Sequence, residues 1–215
     1  MSTNLAKEIN CPKCGKSSQT RMWPSIDCAD HPEQRERILE ESLFIWECPD
    51  CGYQMQLVYP CLYHDFAHKL LILMDPNQKE QSLNKRAIAA EKLEGVRKRI
   101  VGTVEELKEK ILIFESGLND AACELVKLAM AKTVEARQGK APTAGYFSKA
   151  DEKENKITFI FCFEDEKSME QTTRYDVYRK TQEITEALHF NEYGSDFLRV
   201  DQEMAKLMLE EYQNR

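Results

Sequence analysis

Eight cysteines stand among 215 residues, and four of them fall in two copies of one short unit. Cys11-Pro12-Lys13-Cys14-Gly15 and Cys48-Pro49-Asp50-Cys51-Gly52 share the pattern CPxCG. Two residues between the cysteines bend the chain so that both sulfurs face one point. Proline restricts the turn, and glycine tolerates the positive φ that lets backbone N–H groups approach the sulfurs. Two such knuckles supply four thiolates, the donor set of a tetrahedral zinc site. The metal ligands expected are therefore Cys11, Cys14, Cys48 and Cys51, holding one structural Zn2+. A full set of four protein ligands leaves no position for water, so no catalytic role of the metal is expected. An iron site uses similar paired knuckles, and the sequence leaves that alternative open. A thioredoxin-like redox pair is disfavoured, because neither knuckle lies between the strand and helix of a βαβ unit.

Thirty-three residues separate Cys14 from Cys48, against roughly 15–20 in a compact ribbon. A helix over Glu33 to Leu43, opened by Asp30, His31 and Pro32, accounts for the excess as an insertion. Around it, strands or extended segments are expected at Lys16 to Ile26, Leu43 to Glu47, Tyr53 to Tyr59 and Lys69 to Met74, with a turn at Asp75-Pro76-Asn77. Metal binding is expected to supply folding free energy that so small an apolar set does not.

Beyond the first module, helix formers from Gln78 to Lys98 predict a helix, followed by an extended piece from Arg99 to Gly102. Thr103 and Glu106 have capping-box spacing, and Leu107, Ile111 and Phe114 share one helical face. Gly117 suits a left-handed cap. Asn119 or Asp120 opens the next helix, to about Ala136, with Leu125, Leu128 and Ala129 as its apolar side. The short link predicts an antiparallel αα-hairpin. Gly139 and Pro142 then break the pattern. Gly145 to Ser148 and Ile157 to Phe163 flank a charged turn and predict a β-hairpin, since Ile157, Phe159, Phe161 and Phe163 alternate. A third strand is expected at Glu170 to Arg174, and helices at Asp176 to Leu188 and Asp201 to Tyr212, the last capped by Asp201 with Met204, Leu207 and Met208 as its stripe.

The fold class expected is α+β: a zinc-ribbon-like β module with a helical insertion over 1–77, a helical region over 78–138, and a small α+β region over 139–215. The composition, 42% hydrophobic and 31% charged, is that of a folded chain. The first ten residues lack an apolar core, so no signal peptide is expected, and the longest apolar run, near Leu70 to Met74, is far short of a membrane span. A cytoplasmic location follows by default.

The formal net charge is −7, and residues 1–76 hold 7 basic against 11 acidic side chains. Four thiolates around one divalent ion deepen that balance, which disfavours nucleic acid as a partner. The one basic run is Lys85, Arg86, Lys92, Arg97, Lys98 and Arg99, read as a solvated helix face. Cys28 and His31, with Cys61 or His64, have the residue types of a second metal site, but packed or surface roles are preferred. Cys123 and Cys162 read as buried small hydrophobes. Tyr63, His64 and Asp65 look like a catalytic cluster, yet neighbours on a strand point to opposite faces. His68 and His189 have no partner visible in the sequence.

The paired CPxC units, Trp23-Pro24-Ser25-Ile26, Pro60-Cys61-Leu62-Tyr63-His64-Asp65, Arg99-Ile100-Val101-Gly102 and the segments Glu105 to Ile111 and Phe114 to Lys127 together resemble the bacterial CpXC-domain proteins, over roughly residues 8–130. The resemblance implies a metal-binding domain at the cysteines already named and no established activity. Three functions remain on these grounds. The preferred one is a non-enzymatic scaffold that binds a protein or peptide. The others are a transcription-related nucleic-acid-binding zinc ribbon and an enzyme using His64 and Asp65.

Overall fold

The computed structural model describes residues 2–77, 95–194 and 196–215. It is α+β, with ten strands and five helices among those residues. The chain divides into two compact units. One comprises Met1–Lys108 with Tyr193–Phe197, the other Glu109–Glu192 with Leu198–Arg215.

In the first unit β1 (Thr3–Asn10), β2 (Ser17–Asp27), β5 (Cys61–Asp65), β6 (Leu70–Met74) and β7 (Arg97–Val101) form a mixed sheet in the order β1-β2-β5-β6-β7. β1 and β2 are antiparallel, β2 and β5 parallel, β5 and β6 antiparallel, β6 and β7 parallel. A parallel pair needs a crossover of a dozen residues or more. The crossover from β2 to β5 carries α1 (Pro32–Leu39) and a small hairpin of β3 (Ile45–Glu47) and β4 (Gln54–Gln56). The inserted helix expected between the knuckles is thus present, but it stops at Leu39. Pro32 occupies its first turn, where a missing N–H costs nothing. Glu41 then takes a positive φ of 62°, which ends the helix before Leu43.

The run Leu70–Met74 is buried at every residue, as a central strand covered on both faces must be. β1 is the opposite case. Nearly all its residues are exposed, and its backbone pairing with β2 holds it. That strand was not expected, because a solvated ribbon carries no apolar alternation. The helix expected over Gln78 to Lys98 lies outside the described residues except at its end, where Arg97 and Lys98 belong to β7. Arg99 is fully buried within β7 and so cannot contribute to a surface basic patch.

In the second unit α3 (Asp120–Gln138) is the axis. One side packs Ala122, Cys123, Val126, Met130 and Val134 against Phe147, Ile157, Phe159 and Phe161 of a three-stranded antiparallel sheet. That sheet has the order β10-β9-β8, from β8 (Ala144–Asp151), β9 (Lys156–Cys162) and β10 (Ser168–Arg174). The other side packs Ala121 and Leu125 against residues of α4 (Tyr175–Ala187) and α5 (Gln202–Gln213). The apolar side expected for α3 is therefore corrected: Leu125 is buried and Leu128 partly so, but Ala129 is exposed. On α5, Met208 is buried and Leu207 is 67% exposed, with Ala205 taking the inward place.

The caps follow the sequence. Asn119 Oδ1 accepts from the Ala122 amide at 2.9 Å and Asp201 Oδ1 from that of Met204 at 3.0 Å. At the start of α2 (Val104–Glu115), Thr103 Oγ1 accepts from the Glu106 amide at 3.2 Å, while the Glu106 carboxylate reaches back to the Gly102 amide at 2.6 Å. The break at Gly139 to Pro142 lies inside the second unit, where Gly139 supplies the left-handed cap of α3.

Candidate metal centre

Each CPxCG segment forms the turn of an antiparallel hairpin. Cys11 to Lys16 joins β1 to β2, and Cys48 to Tyr53 joins β3 to β4. The two turns have the same internal hydrogen bonds. Gly15 N–H donates to the Cys11 carbonyl at 2.9 Å and Cys11 N–H to that of Lys16 at 2.9 Å. Gly52 N–H donates to the Cys48 carbonyl at 2.9 Å and Cys48 N–H to that of Tyr53 at 2.8 Å. Gly15 and Gly52 sit at φ of 74° and 67°, a region that residues with a Cβ rarely adopt.

The paired turns bring the four sulfurs of Cys11, Cys14, Cys48 and Cys51 within 4.8 Å of one another. Cys11 Sγ lies 3.6 Å from Cys51 Sγ, and Cys14 Sγ lies 3.7 Å from Cys48 Sγ. Both pairs run from one knuckle to the other. The spacing is too long for a disulfide, whose sulfurs are about 2.05 Å apart. It matches a tetrahedron with metal–sulfur bonds of about 2.3 Å, whose sulfurs are about 3.8 Å apart. The four residues are thus close enough to hold one metal ion.

Local electrostatics agree with that geometry. Burial opposes ionisation of Cys11, but the amides of Cys14 and Lys13 donate to its sulfur and bring its pKa to about 7. The Lys16 amide favours ionisation of Cys14 and that of Tyr53 favours Cys51, yet burial and neighbouring sulfurs raise both, Cys51 to about 12. Without a cation, the four thiols compete, so that ionising one hinders the next. A divalent ion removes that conflict. Cys11, Trp46 and Cys48 form the buried centre of a small apolar cluster, with Ile9, Cys51, Met55 and Leu57 around it. Across the surface, Lys16 Nζ meets Asp50 Oδ1 at 2.5 Å.

A family model described as CpXC protein matches residues 9–127, more than half of the chain. The chain belongs to the CpXC family. No curated protein and no solved structure matches it. The span matched to the CpXC model holds both knuckles, the β5–β7 strands, α2 and the first part of α3.

The other candidates separate. Among the described residues, the four cysteines are the single grouping of three or more side chains of metal-binding type with donor atoms in mutual reach, so Cys28, His31, Cys61 and His64 do not assemble a second site. His31 Nδ1 meets the Glu33 carboxylate at 2.9 Å, and Cys61 is fully buried. His64 and Asp65 are successive residues of β5 and face opposite sides of it. His64 Nε2 lies 3.2 Å from Ser25 Oγ. Asp65 instead meets His68: its Oδ2 lies 2.7 Å from His68 Nδ1, and its Oδ1 accepts from the His68 amide at 3.1 Å. This pair was missed in the sequence, where the signal was the three-residue spacing across the β5–β6 turn. Cys123 is buried, as expected, and Cys162 only partly. Among the described residues no helix is long and apolar enough to cross a membrane.

Proposed function

We propose that Cys11, Cys14, Cys48 and Cys51 hold one structural zinc ion, and that the surrounding zinc-ribbon-like unit is a non-enzymatic module that binds a protein or peptide. The observation that carries the reading is the meeting of four sulfurs from two hairpin turns of matching geometry. Bound zinc would cross-link the two hairpins and contribute folding free energy, with every ligand position filled by protein. The knuckle amides orient and stabilise the thiolates, Trp46 shields them from one side, and Lys16 offsets part of their negative charge. The placement of His64 and Asp65 on opposite faces, and the burial of Arg99, weigh in favour of a binding role over the enzymatic and nucleic-acid alternatives.

Metal analysis of the purified full chain tests the site. One zinc per chain is expected, falling to none in Cys48→Ala and Cys51→Ala. Iron in its place would move the site to the rubredoxin type, and no stoichiometric metal would remove it. For the partner, proteins retained by the zinc-loaded chain and released by a chelator, and not retained by Cys48→Ala, support the module. Salt-sensitive retention on DNA or RNA would support the nucleic-acid alternative.

A further inference from the structure

β1 is an edge strand of a kind that natural sheets usually cover or blunt. Among the described residues it pairs with β2 alone, at the end of the order β1-β2-β5-β6-β7. All of its residues are exposed except Ile9, which is half-buried. The register with β2 is unbroken from Leu5 to Asn10, and no proline interrupts the strand. Every second residue of such a strand turns its N–H and C=O away from its one neighbour. Those groups are a template on which a further strand can pair. The opposite edge differs: β7 is shorter, and its residues Arg99, Ile100 and Val101 are buried.

The side chains decide what the edge accepts. Leu5, Lys7 and Ile9 share one face of β1, and Ala6 and Glu8 share the other. A second copy of β1, run antiparallel so that Leu5 meets Ile9, would set Lys7 against Lys7, and like charges directly opposite are destabilising. An acidic side chain opposite Lys7 is attracted instead. The surroundings act in the same direction. Thr3 to Met22 carries Lys7, Lys13, Lys16 and Arg21 against Glu8 alone, in a chain of net charge −7. Lys16 is held by Asp50. Lys7, Lys13 and Arg21 are exposed, and none has an ion-pair partner among the described residues. The sulfurs do not cancel the charge of Lys7. Four residues of strand place Cys11 about 13 Å from it along the backbone, more than a screening length in physiological salt.

Resting on the peptide-binding role given above for the first unit, we propose that β1 takes up an extended segment of a partner protein as a further strand of its sheet, with an acidic residue of that segment opposite Lys7 and apolar residues opposite Leu5 and Ile9. Backbone hydrogen bonds along the edge supply affinity, and the side chains on alternate positions supply selectivity. The segment reads apolar-x-acidic-x-apolar on the face of Lys7. On the other face a carboxylate opposite Glu8 is disfavoured. Lys13 and Arg21 add a positive field that speeds the approach of an acidic segment and weakens with salt.

Random peptides displayed on phage and selected on the full chain, with its metal content measured, test the proposal. Enrichment of the pattern apolar-x-acidic-x-apolar is expected. No enrichment, or enrichment without the acidic position, overturns it. A synthetic peptide of the selected sequence should shift the β1 amide resonances. Methylating its backbone nitrogens in two alternate sets needs no protein variant: the set facing β1 should abolish binding and the other set preserve it, and equal effects overturn strand addition. Lys7→Glu should weaken the peptide about three- to tenfold and favour a counterpart with lysine in the acidic position; an unchanged preference overturns the pairing. A dimer joined through β1, or nucleic acid held there in place of the peptide, also overturns it. Peptides whose shifts fall away from β1 overturn strand addition and leave the binding module standing, whereas binding at β1 by a chain without zinc strikes the metal alone.

Discussion

Lys16 Nζ lies 2.5 Å from Asp50 Oδ1, an ion pair that ties the first CPxCG turn to the second. Asp50 lies between the two cysteines of its knuckle and Lys16 directly follows the glycine of the other, so the pair holds the turns in register while the lysine faces the sulfurs. The Asp50 carboxylate, through a hydrogen bond and its charge, and the nearby Cys14 and Cys48 all raise the Lys16 pKa. Because the lysine is exposed, salt should screen the pair. Lys16→Met is expected to weaken metal retention modestly, less than loss of any of the four cysteines, and the difference from wild type should shrink at high salt. Chelator competition at two ionic strengths measures it.

Glu109 and Lys127 form a buried ion pair in the second unit, with Nζ 2.9 Å from Oε1. Removing the carboxylate leaves a buried ammonium and the Phe147 amide short of an acceptor. Lys127 keeps Glu124 Oε1 at 2.9 Å, so Glu109→Ala is expected to cost about 1–3 kcal/mol of stability, the cost of leaving a buried donor unsatisfied. Denaturant titration followed by exchange at α3 gives the value.

Gly145 has almost no room for a side chain. A Cβ there would lie 2.8 Å from Cε1 and 3.0 Å from Cδ1 of Phe161, which is itself fully buried. Its carbonyl also holds Lys127. Gly145→Ala should destabilise the unit by about 1–3 kcal/mol, the usual cost of overpacking. The thermal midpoint of the variant checks this.

Burial pushes the Cys61 thiol up to about 12. The folded chain therefore holds that proton more tightly than the unfolded one. The resulting stabilisation is complete below the ordinary thiol value of 9 and is lost as pH rises from there toward 12. At neutral pH, iodoacetamide should leave Cys61 and Cys123 unmodified in the native protein and alkylate both after unfolding. Peptide mass mapping gives the result, and rapid native labelling would contradict the burial.

The knuckles, the helix caps at Asn119 and Asp201 and the strand from Ile157 to Phe163 were legible in the sequence because short-range chemistry specifies them. A CPxCG turn needs its glycine at positive φ, a cap needs a side-chain oxygen at one position, and a half-buried strand alternates. β1 was not legible, because its residues are exposed and it owes its place to the backbone of β2. The meeting of Asp65 with His68 instead of His64 depends on how the β5–β6 turn folds. The polar residues of α3 have the spacing of a solvated face, yet Glu124 and Lys127 lie inside. Their burial goes with ion pairs to Glu109 and Lys110 of α2, information held in residues of a different helix.

By itself, the sequence determined the α+β character, the two cysteine turns and the residue types available to a metal. Tertiary structure decided that turns thirty-three residues apart bring their sulfurs within 4.8 Å of one another, and that charges written on two helices become a solvent-free cluster. The physical reason is range: turn and cap geometry depends on bonds a few residues long, whereas desolvation and ligand convergence depend on which distant segments exclude water together.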